Sequence, residues 1–347
     1  MVTIVGGGIA GSVLAGALAR RGEQVALYEQ QSAGPGAGAF LFIDGRGHNA
    51  LTTLGVSEAE LYEASYPLVG LQYRNSAGFS GGRPSAGHRF WMRRALMKIL
   101  TDFVDTSGAE LHYGNPITDI SLNGSGCTLH RGDQTTIVDD LIIGADGIDS
   151  VVRTCLEPNR IPVYAGDVVL YGMTTTPLDL STDPAVLHFF AEIAPDNSSF
   201  STLGHIWRPG DANALWFLRI AREPLTDGDD LGLRPVDEWA DAVLEATPSN
   251  QELAQTFIEH TEVVHVSNAR NVPLDNATES TEPALLIGDA DHAITPAAGV
   301  GARDALEDVL AVYQALASNE SPSAAMAQRR KQITAEREQV QRAMRRN

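Results

Sequence analysis

An α/β fold is what this sequence predicts. It comprises a Rossmann-like nucleotide-binding domain (βαβ with an inserted β-meander), a second domain with a mostly antiparallel sheet, and C-terminal helices. Three observations carry that expectation. The chain opens on an apolar strand, a glycine turn and an Ala/Leu-rich helical stretch. Two further aliphatic strands run into Gly/Asp loops, at Gly144 and at Gly288. Between those loops, from about Val163 to Val272, the pattern turns to alternating strands.

Val2–Val5 reads as a buried strand, and Gly6-Gly7-Gly8-Ile9-Ala10-Gly11 is a G-x-G-x-x-G turn in its required setting, with a helix to about Arg21. Gly6 allows the tight turn, Gly8 lets a pyrophosphate approach the backbone, and Gly11 lets helix and strand pack closely. A second strand, Gln24–Tyr28, ends in Glu29, about 20 residues past the glycines, where a carboxylate suits a ribose diol. An acid there disfavours a 2′-phosphate, so the dinucleotide is NAD or FAD rather than NADP. Ser32–Gly38 is a loop, Phe40–Asp44 an apolar run and Gly45–His48 a turn. Asn49–Leu54 is helical and stops at Gly55. Val69–Arg74 reads as a strand, with a Gly/Ser-rich hairpin near Gly78–Gly87.

Arg93–Val104 is an amphipathic helix with Leu96, Ile99, Leu100 and Phe103 on one side. Glu110–Tyr113, Ile117–Leu122, Cys127–Arg131 and Thr135–Val138 are short strands that form the inserted meander. Leu141–Ile143 is another buried strand. The second domain follows, with strands at Asp167–Thr175, Val186–Ala191, Ser201–Trp207 and Leu215–Ile220 and helices at Val236–Leu244 and Gln251–His260. Pro283–Ile287 resumes the first domain, and a helix starts at about Ala302. Each of the three glycine loops follows an aliphatic strand, so all three should open at the carboxyl edge of one parallel sheet.

The 347 residues suffice for about two domains, and a 43% hydrophobic content is that of a soluble globular protein. No secretory signal and no apolar stretch long enough to span a bilayer is present, which points to the cytoplasm. Cys127 and Cys155 fit reduced buried thiols, and the lack of a C-x-x-C pair argues against a disulfide reductase or a structural metal site. A net charge of −19 argues against nucleic-acid and anionic-membrane partners. The basic cluster Arg329, Arg330, Lys331, Arg337, Arg342, Arg345 and Arg346, interleaved with Glu336 and Glu338, reads as a solvated face of the last helix with internal pairs.

Three motifs bring the chain to a known family. They are the Gly6–Gly11 turn with Glu29, the G-A-D-G-x-x-S-x-V-R at Gly144–Arg153, and the G-D-x-x-H…P-x-x-G-x-G at Gly288–Gly301; Arg93, Leu96 and Leu100 add R-x-x-L-x-x-x-L. With these the chain resembles the FAD-dependent aromatic hydroxylases, the class A flavoprotein monooxygenases of the p-hydroxybenzoate hydroxylase fold, in compact form. The resemblance implies an FAD-binding domain over residues 1–70, 88–160 and 275–320, a substrate domain over 71–87 and 161–274, and a C-terminal helix over 321–347.

It also implies an enzyme that takes electrons from NADH or NADPH and inserts one atom of O2 into an aromatic or polycyclic small molecule through a C4a-hydroperoxyflavin. Gly6, Gly8, Ile9, Ala10 and Gly11 would cradle the pyrophosphate, Glu29 the adenosine ribose, and Arg93 the phosphates or ribitol. Asp289 would accept from the ribityl chain, beside Gly288. Pro296, Gly299, Val300 and Gly301 would wrap the ring, and Arg46 and Asp146 are further implied cofactor residues. Tyr171, His188, Phe190, His205, Trp207, Trp216 and Arg219 are the candidates to line the substrate pocket. No catalytic side chain is singled out, and the protein would be a monomer or homodimer.

The chain departs from the family pattern in places. Gln30 follows Glu29 where a base is usual, Asp291 stands where a small residue is common and either adds charge near the flavin or points outward, and Arg303 and Asp304 alter the helix start. His292 is read as structural. Another FAD-dependent oxidoreductase and a non-catalytic flavin-binding protein remain as alternatives. A plain NAD-dependent dehydrogenase leaves the loops at Gly144 and Gly288 without a role, and the W-x-W-x-I-P of flavin halogenases is absent.

Overall fold

The computed structural model describes residues 1–32, 40–123, 126–139, 141–226, 228, 231–279, 281–295 and 299–344. The chain divides into two compact units: Met1–Ser65, Trp91–Val163 and Asn271–Asn347 form the first, and Tyr66–Phe90 and Tyr164–Arg270 the second. Beyond Ser32, the Ser32–Gly38 loop lies outside the described residues, as do Arg345 and Arg346. Among the described residues, no helix is long and apolar enough to cross a membrane.

The first unit is built on a five-stranded parallel sheet in the order Ala284–Leu286, Leu141–Gly144, Val2–Val5, Val25–Glu29, Glu110–Tyr113. Val2–Val5 and Ala284–Leu286 are buried throughout, as a parallel sheet covered on both faces requires. Val5 pairs with Gly144, and Gly144 pairs with Leu286. The strands therefore end level, and the three loops leave the same carboxyl edge, as the sequence predicts.

Helices Ile9–Arg20, Arg93–Asp105 and Gly301–Ala317 cover this sheet, and their shared core includes Val13, Leu14, Leu18, Leu96, Leu100, Leu306 and Val309. A side chain on Gly16 would strike the Phe103 ring at 2.5 Å, so these helices meet at a glycine. Each buried Leu or Val contributes about 1.5–3 kcal/mol, against about 0–1 for an exposed ion pair. The apolar core, rather than surface charge, holds this unit.

Several elements differ from the expectation. Glu110–Tyr113 joins the parallel sheet beside Val25–Glu29 instead of the meander, because the helix Arg93–Asp105 supplies the crossover that parallel pairing needs. The meander keeps three strands: Asp119–Asn123, Gly126–Arg131 and Gln134–Val138. Gly45–His48 is the first turn of a helix, Gly45–Thr53, because Asp44 Oδ1 accepts from the Arg46 and Gly47 N–H groups at 3.0 and 3.1 Å.

The last helix, Pro322–Met344, turns Arg329, Arg330 and Arg337 inward rather than to solvent. Arg329 pairs with Asp308 at 3.0 Å and Glu307 at 3.2 Å, and Arg330 with Asp291 at 2.6 Å. Carboxylates buried on the preceding loop and helix need counter-charges, and a lone buried charge is strongly destabilising.

The second unit is an eight-stranded sheet in the order Gly232–Pro235, Val263–Asn271, Val163–Met173, Leu215–Ala221, Ser199–Ile206, Val186–Ile193, Gly70–Asn75, Ser80–Pro84. Val186–Ile193 and Gly70–Asn75 pair in parallel, within a sheet that is otherwise largely antiparallel. Helices Ala240–Glu245 and Gln251–Glu259 contribute Val243, Ala254 and Phe257 to a core with Leu170, Leu203, Trp216 and Leu218. Val263–Asn271 is a strand absent from the sequence reading, because no glycine or proline separates it from the helix before it.

Candidate functional site

Steric limits fix the rim of the first unit. Gly6 has φ +103, and a Cβ there would lie 2.4 Å from the Ala145 carbonyl oxygen; one on Gly11 would lie 1.8 Å from that of Gly6. Gly288, at φ +59, sits so that a Cβ would come 3.6 Å from Ala10 Cβ. The first loop thus touches both others. Gly8 is different, since a Cβ there would meet nothing within 4 Å among the described residues. None of these demands a glycine at this position, and the space it leaves belongs to the groove.

Gly8 also begins the helix Ile9–Arg20 without a side-chain cap, leaving main-chain N–H groups for an anion. The groove, about 330 Å³, is lined by Gly6–Gly8, Glu29–Ser32, Arg93, Tyr113 and Asp146 among others. Glu29 is held by main-chain donors, with Oε2 accepting from Gly7 N–H at 2.6 Å and Oε1 from Gln31 N–H at 2.7 Å. Each carboxylate oxygen keeps a lone pair for a further donor.

Arg93 opens the helix Arg93–Asp105, half-buried, and has no ion-pair partner among the described residues, while Arg94 beside it is exposed. Met97 and Thr101 line the same groove. Sequence reasoning missed these two, although their spacing of four and eight residues from Arg93 places them on its face. Asp146 serves the second loop: its Oδ2 accepts from Val151 and Val152 N–H at 2.8 and 3.3 Å. Burial raises its carboxyl above the usual range, and Oδ1 is buried without a partner among the described residues.

The third loop turns at Gly288 into the short helix Asp289–His292. Asp308 Oδ2 accepts from Gly288 N–H at 3.0 Å and meets His292 Nε2 at 2.5 Å, which makes His292 a buried structural group. Asp289 stands apart, exposed and with no hydrogen-bond or ion-pair partner among the described residues. Protein crowding around it raises its carboxyl above the usual range, with His292 and Arg93 pulling the other way. A Cβ on Gly301 would lie 3.8 Å from Asp289 Oδ1, so the uncapped start of the helix Gly301–Ala317 adjoins this carboxylate. Pro296 lies outside the described residues; Gly299 and Val300 lead directly into the helix.

Arg46 is paired within the chain: its Nε and Nη2 both meet Glu307 at 2.7 Å, and Nη2 meets Glu336 at 3.0 Å. Two carboxylates from the last two helices occupy the guanidinium. Asp291 neither faces a ligand nor points outward; it is fully buried and paired with Arg160 at 2.7 Å.

In the second unit strand parity sorts the pocket candidates. His188, Phe190, His205 and Trp216 lie on the sheet face that packs on the helices, and Trp207 joins that core with its indole N–H donated to Thr182. Tyr171 and Arg219 fall on the opposite face. Along one row of that face stand Gly81, Tyr73, Phe189, Gly204, Phe217 and Tyr171, each paired with the next across the strands. Tyr73 stacks on Phe189 with ring centroids 4.8 Å apart, and Phe217 meets Phe189 edge-on at 6.0 Å. Gly204 makes room for the Phe217 ring, which a Cβ would strike at 2.1 Å. Arg219 is neutralised by Asp167 at 2.7 Å. Tyr73, Phe189 and Phe217 were missed because alternation shows that two faces exist without showing which one the helices cover.

The residues of the first unit fit a long nucleotide cofactor: anion-ready N–H groups at one end, an acid for a ribose, and a free acid at the other. The comparisons agree. The FAD binding domain family matches residues 1–347. Kynurenine 3-monooxygenase of Salinispora arenicola (strain CNS-205) is 25% identical over 344 residues, spanning 94% of this chain and 74% of that one. The 6-hydroxynicotinate 3-monooxygenase of Pseudomonas fluorescens is 25% identical over 324 residues, spanning 88% and 80%. Among solved structures, 2,6-dihydroxypyridine-3-hydroxylase from Arthrobacter nicotinovorans superposes with a TM-score of 0.75 at 19% identity, covering 95% of this chain and 87% of that one, a likeness of fold.

Proposed function

This chain belongs to the FAD binding domain family, and from that premise we propose that it is an FAD-dependent monooxygenase that hydroxylates an aromatic small molecule with O2 and electrons from NADH or NADPH. The similarity to kynurenine and 6-hydroxynicotinate 3-monooxygenases over most of their length supports the reaction type. One observation carries the site reading. Asp289 carries a carboxylate with no bond among the described residues, in a turn whose other polar side chains are bonded, on the same rim as the open position at Gly8. A cytoplasmic location is part of this reading.

FAD, when bound, supplies the redox chemistry by which NAD(P)H electrons activate O2 for transfer of one oxygen atom. The chain's own groups bind and orient it. Main-chain N–H groups at Gly8–Ala10 hold the pyrophosphate, where a helix N-terminus favours an anion by about 0.3–1 kcal/mol or more. Glu29 takes the adenosine ribose, Arg93 a phosphate, and Asp289 the ribityl hydroxyls. The uncapped helix at Gly301 favours negative charge beside Asp289. In the second unit the row Tyr73, Phe189, Phe217 and Tyr171 offers ring faces and edges to an aromatic substrate.

The test is to purify the protein with FAD, screen phenolic and polycyclic compounds for stimulated NAD(P)H oxidation, and run the responsive ones under isotopically heavy oxygen gas. Label in the product supports the monooxygenase reading. Bound FAD with no label in any product overturns it in favour of another flavin oxidoreductase or a non-catalytic flavin binder.

A further inference from the structure

The third loop is gripped from behind by arginines from three parts of the chain. Three consecutive carbonyl oxygens each accept from a different one: Ala290 from Arg153 Nη1 at 2.9 Å, Asp291 from Arg160 Nη1, and His292 from Arg337 Nη2 at 2.8 Å. The buried Asp291 carboxylate accepts from Arg160 Nη2 at 2.7 Å and from Arg330 Nη2 and Nε at 2.6 and 2.8 Å. Arg160 also donates to Glu157, whose other oxygen accepts from Thr278 N–H at 2.6 Å and its hydroxyl at 2.8 Å.

Two arginines and two acids thus cancel in charge within one buried cluster. A buried ion pair is seldom more stabilising than apolar residues of the same volume. Stability is therefore a weak reason for this cluster, whereas fixed geometry is a good one, since a guanidinium fork sets both distance and angle. The polar side chain of the turn with no bond among the described residues is Asp289, two residues from Asp291.

We propose that Arg330 and Arg160 are positioning residues for the cofactor: by gripping Asp291 they fix the turn that presents Asp289 to the flavin nucleotide. This rests on the FAD reading above and extends it to the helix Pro322–Met344, which carries Arg330. Cofactor retention then depends on a helix that, among the described residues, lines none of the groove. By linkage, bound FAD steadies that helix in return.

The test compares wild type, Arg330→Met, Arg330→Lys and Asp291→Asn. Each is purified as holoprotein, stripped, and titrated with FAD by flavin fluorescence, with melting followed with and without FAD. Loss of charge-assisted hydrogen bonds in Arg330→Met should weaken FAD binding about tenfold and shrink the rise in Tm that FAD produces. Arg330→Lys, which keeps the charge but not the fork, should fall between it and wild type, and Asp291→Asn should be at least as weak as Arg330→Met. Hydrogen exchange over residues 322–344 should slow on FAD binding in wild type and less so in the variants.

A merely structural role predicts otherwise: melting temperatures fall, while FAD affinity stays within about twofold of wild type and the FAD-induced rise is unchanged. That result overturns the positioning role while leaving the FAD reading intact. If Arg330→Met does not fold, the same comparison on Arg330→Lys decides. A wild type that binds no FAD overturns both readings.

Discussion

The two units bury their polar groups in different proportions, the Asp167–Arg219 pair being a charged exception in the second. The first buries charge: Asp291, Asp308, Arg153 and Arg160 are at most 5% exposed and bonded through ion pairs or carbonyls. The second builds its centre on uncharged imidazoles. His188 and His205 stack with centroids 4.9 Å apart, and each ring gives one nitrogen to a neutral group, the Asp183 carbonyl and the Thr182 hydroxyl. Even its buried Glu192 is met by the neutral donors of Ser249. Directional charge is concentrated behind the loop that presents Asp289, where a shape must be held against a ligand. Stacking and apolar packing suffice where a sheet only has to be backed.

The histidines display the contrast. Burial lowers His292, but the Asp308 carboxylate overrides it and the net direction is up. Burial pushes His205 down to about 3, with His188 adding to the effect.

The largest blow to the contrast should come from Asp308→Asn. It leaves the buried Arg329 with Glu307 as its one remaining carboxylate and weakens the partner of His292, so urea unfolding should show about 3–5 kcal/mol lost. A loss below about 1 kcal/mol would mean that the charged network is dispensable.

Next in size is Asp289→Ala, which should cut FAD affinity about tenfold or more while the stripped protein stays within about 0.5 kcal/mol of wild type. Unchanged flavin content would remove Asp289 from the site.

The third effect belongs to the second unit. His205 titrates lower when folded than when unfolded, so its contribution is intact above pH 6.5 and is lost as pH falls from there toward about 3. The slope is about 1.4 kcal/mol per pH unit for one proton. His205→Phe should flatten the unfolding free energy over that window by one proton, and an unaltered slope would contradict a neutral buried ring. His292 carries the opposite sign: its contribution is full below 6.5 and fades as pH rises through its raised folded value.

The smallest effect should come from Phe189→Leu. Removing one ring contact costs about 0.5–1.5 kcal/mol, seen as a higher KM for aromatic substrate with flavin content unchanged.

Much of the first unit was legible because its signals are local. An aliphatic strand, a glycine turn and an acid lie within a few residues of one another, and this placed Gly6–Gly11, Gly144–Asp146 and Gly288–Asp289 on one edge. What stayed hidden depends on partners far along the chain. Asp291 reads as an outward or ligand-facing charge until Arg330, 39 residues on, supplies its counter-charge. The same blindness turned Arg329, Arg330 and Arg337 toward water and hid the pairing of Arg46 with Glu307 and Glu336. In the second unit four central strands were found, Val263–Asn271 was not, and the faces of those found stayed open. Alternation leaves two choices per strand, and the aromatic residues weighed were mostly those that the helices cover. Gly45–His48 was lost to a smaller cause, since two glycines suggest a turn unless the Asp44 cap is credited.

The division of the chain has a consequence for synthesis. The second unit is complete once residue 270 has been made, whereas the first still lacks residues 271–347, including its sheet strand Ala284–Leu286. At about 5–20 residues per second the ribosome takes roughly 4–15 s to deliver that stretch. During this interval the apolar flank of Leu141–Gly144 stays uncovered on the nascent protein. Chaperone engagement and cofactor supply would matter most in that window.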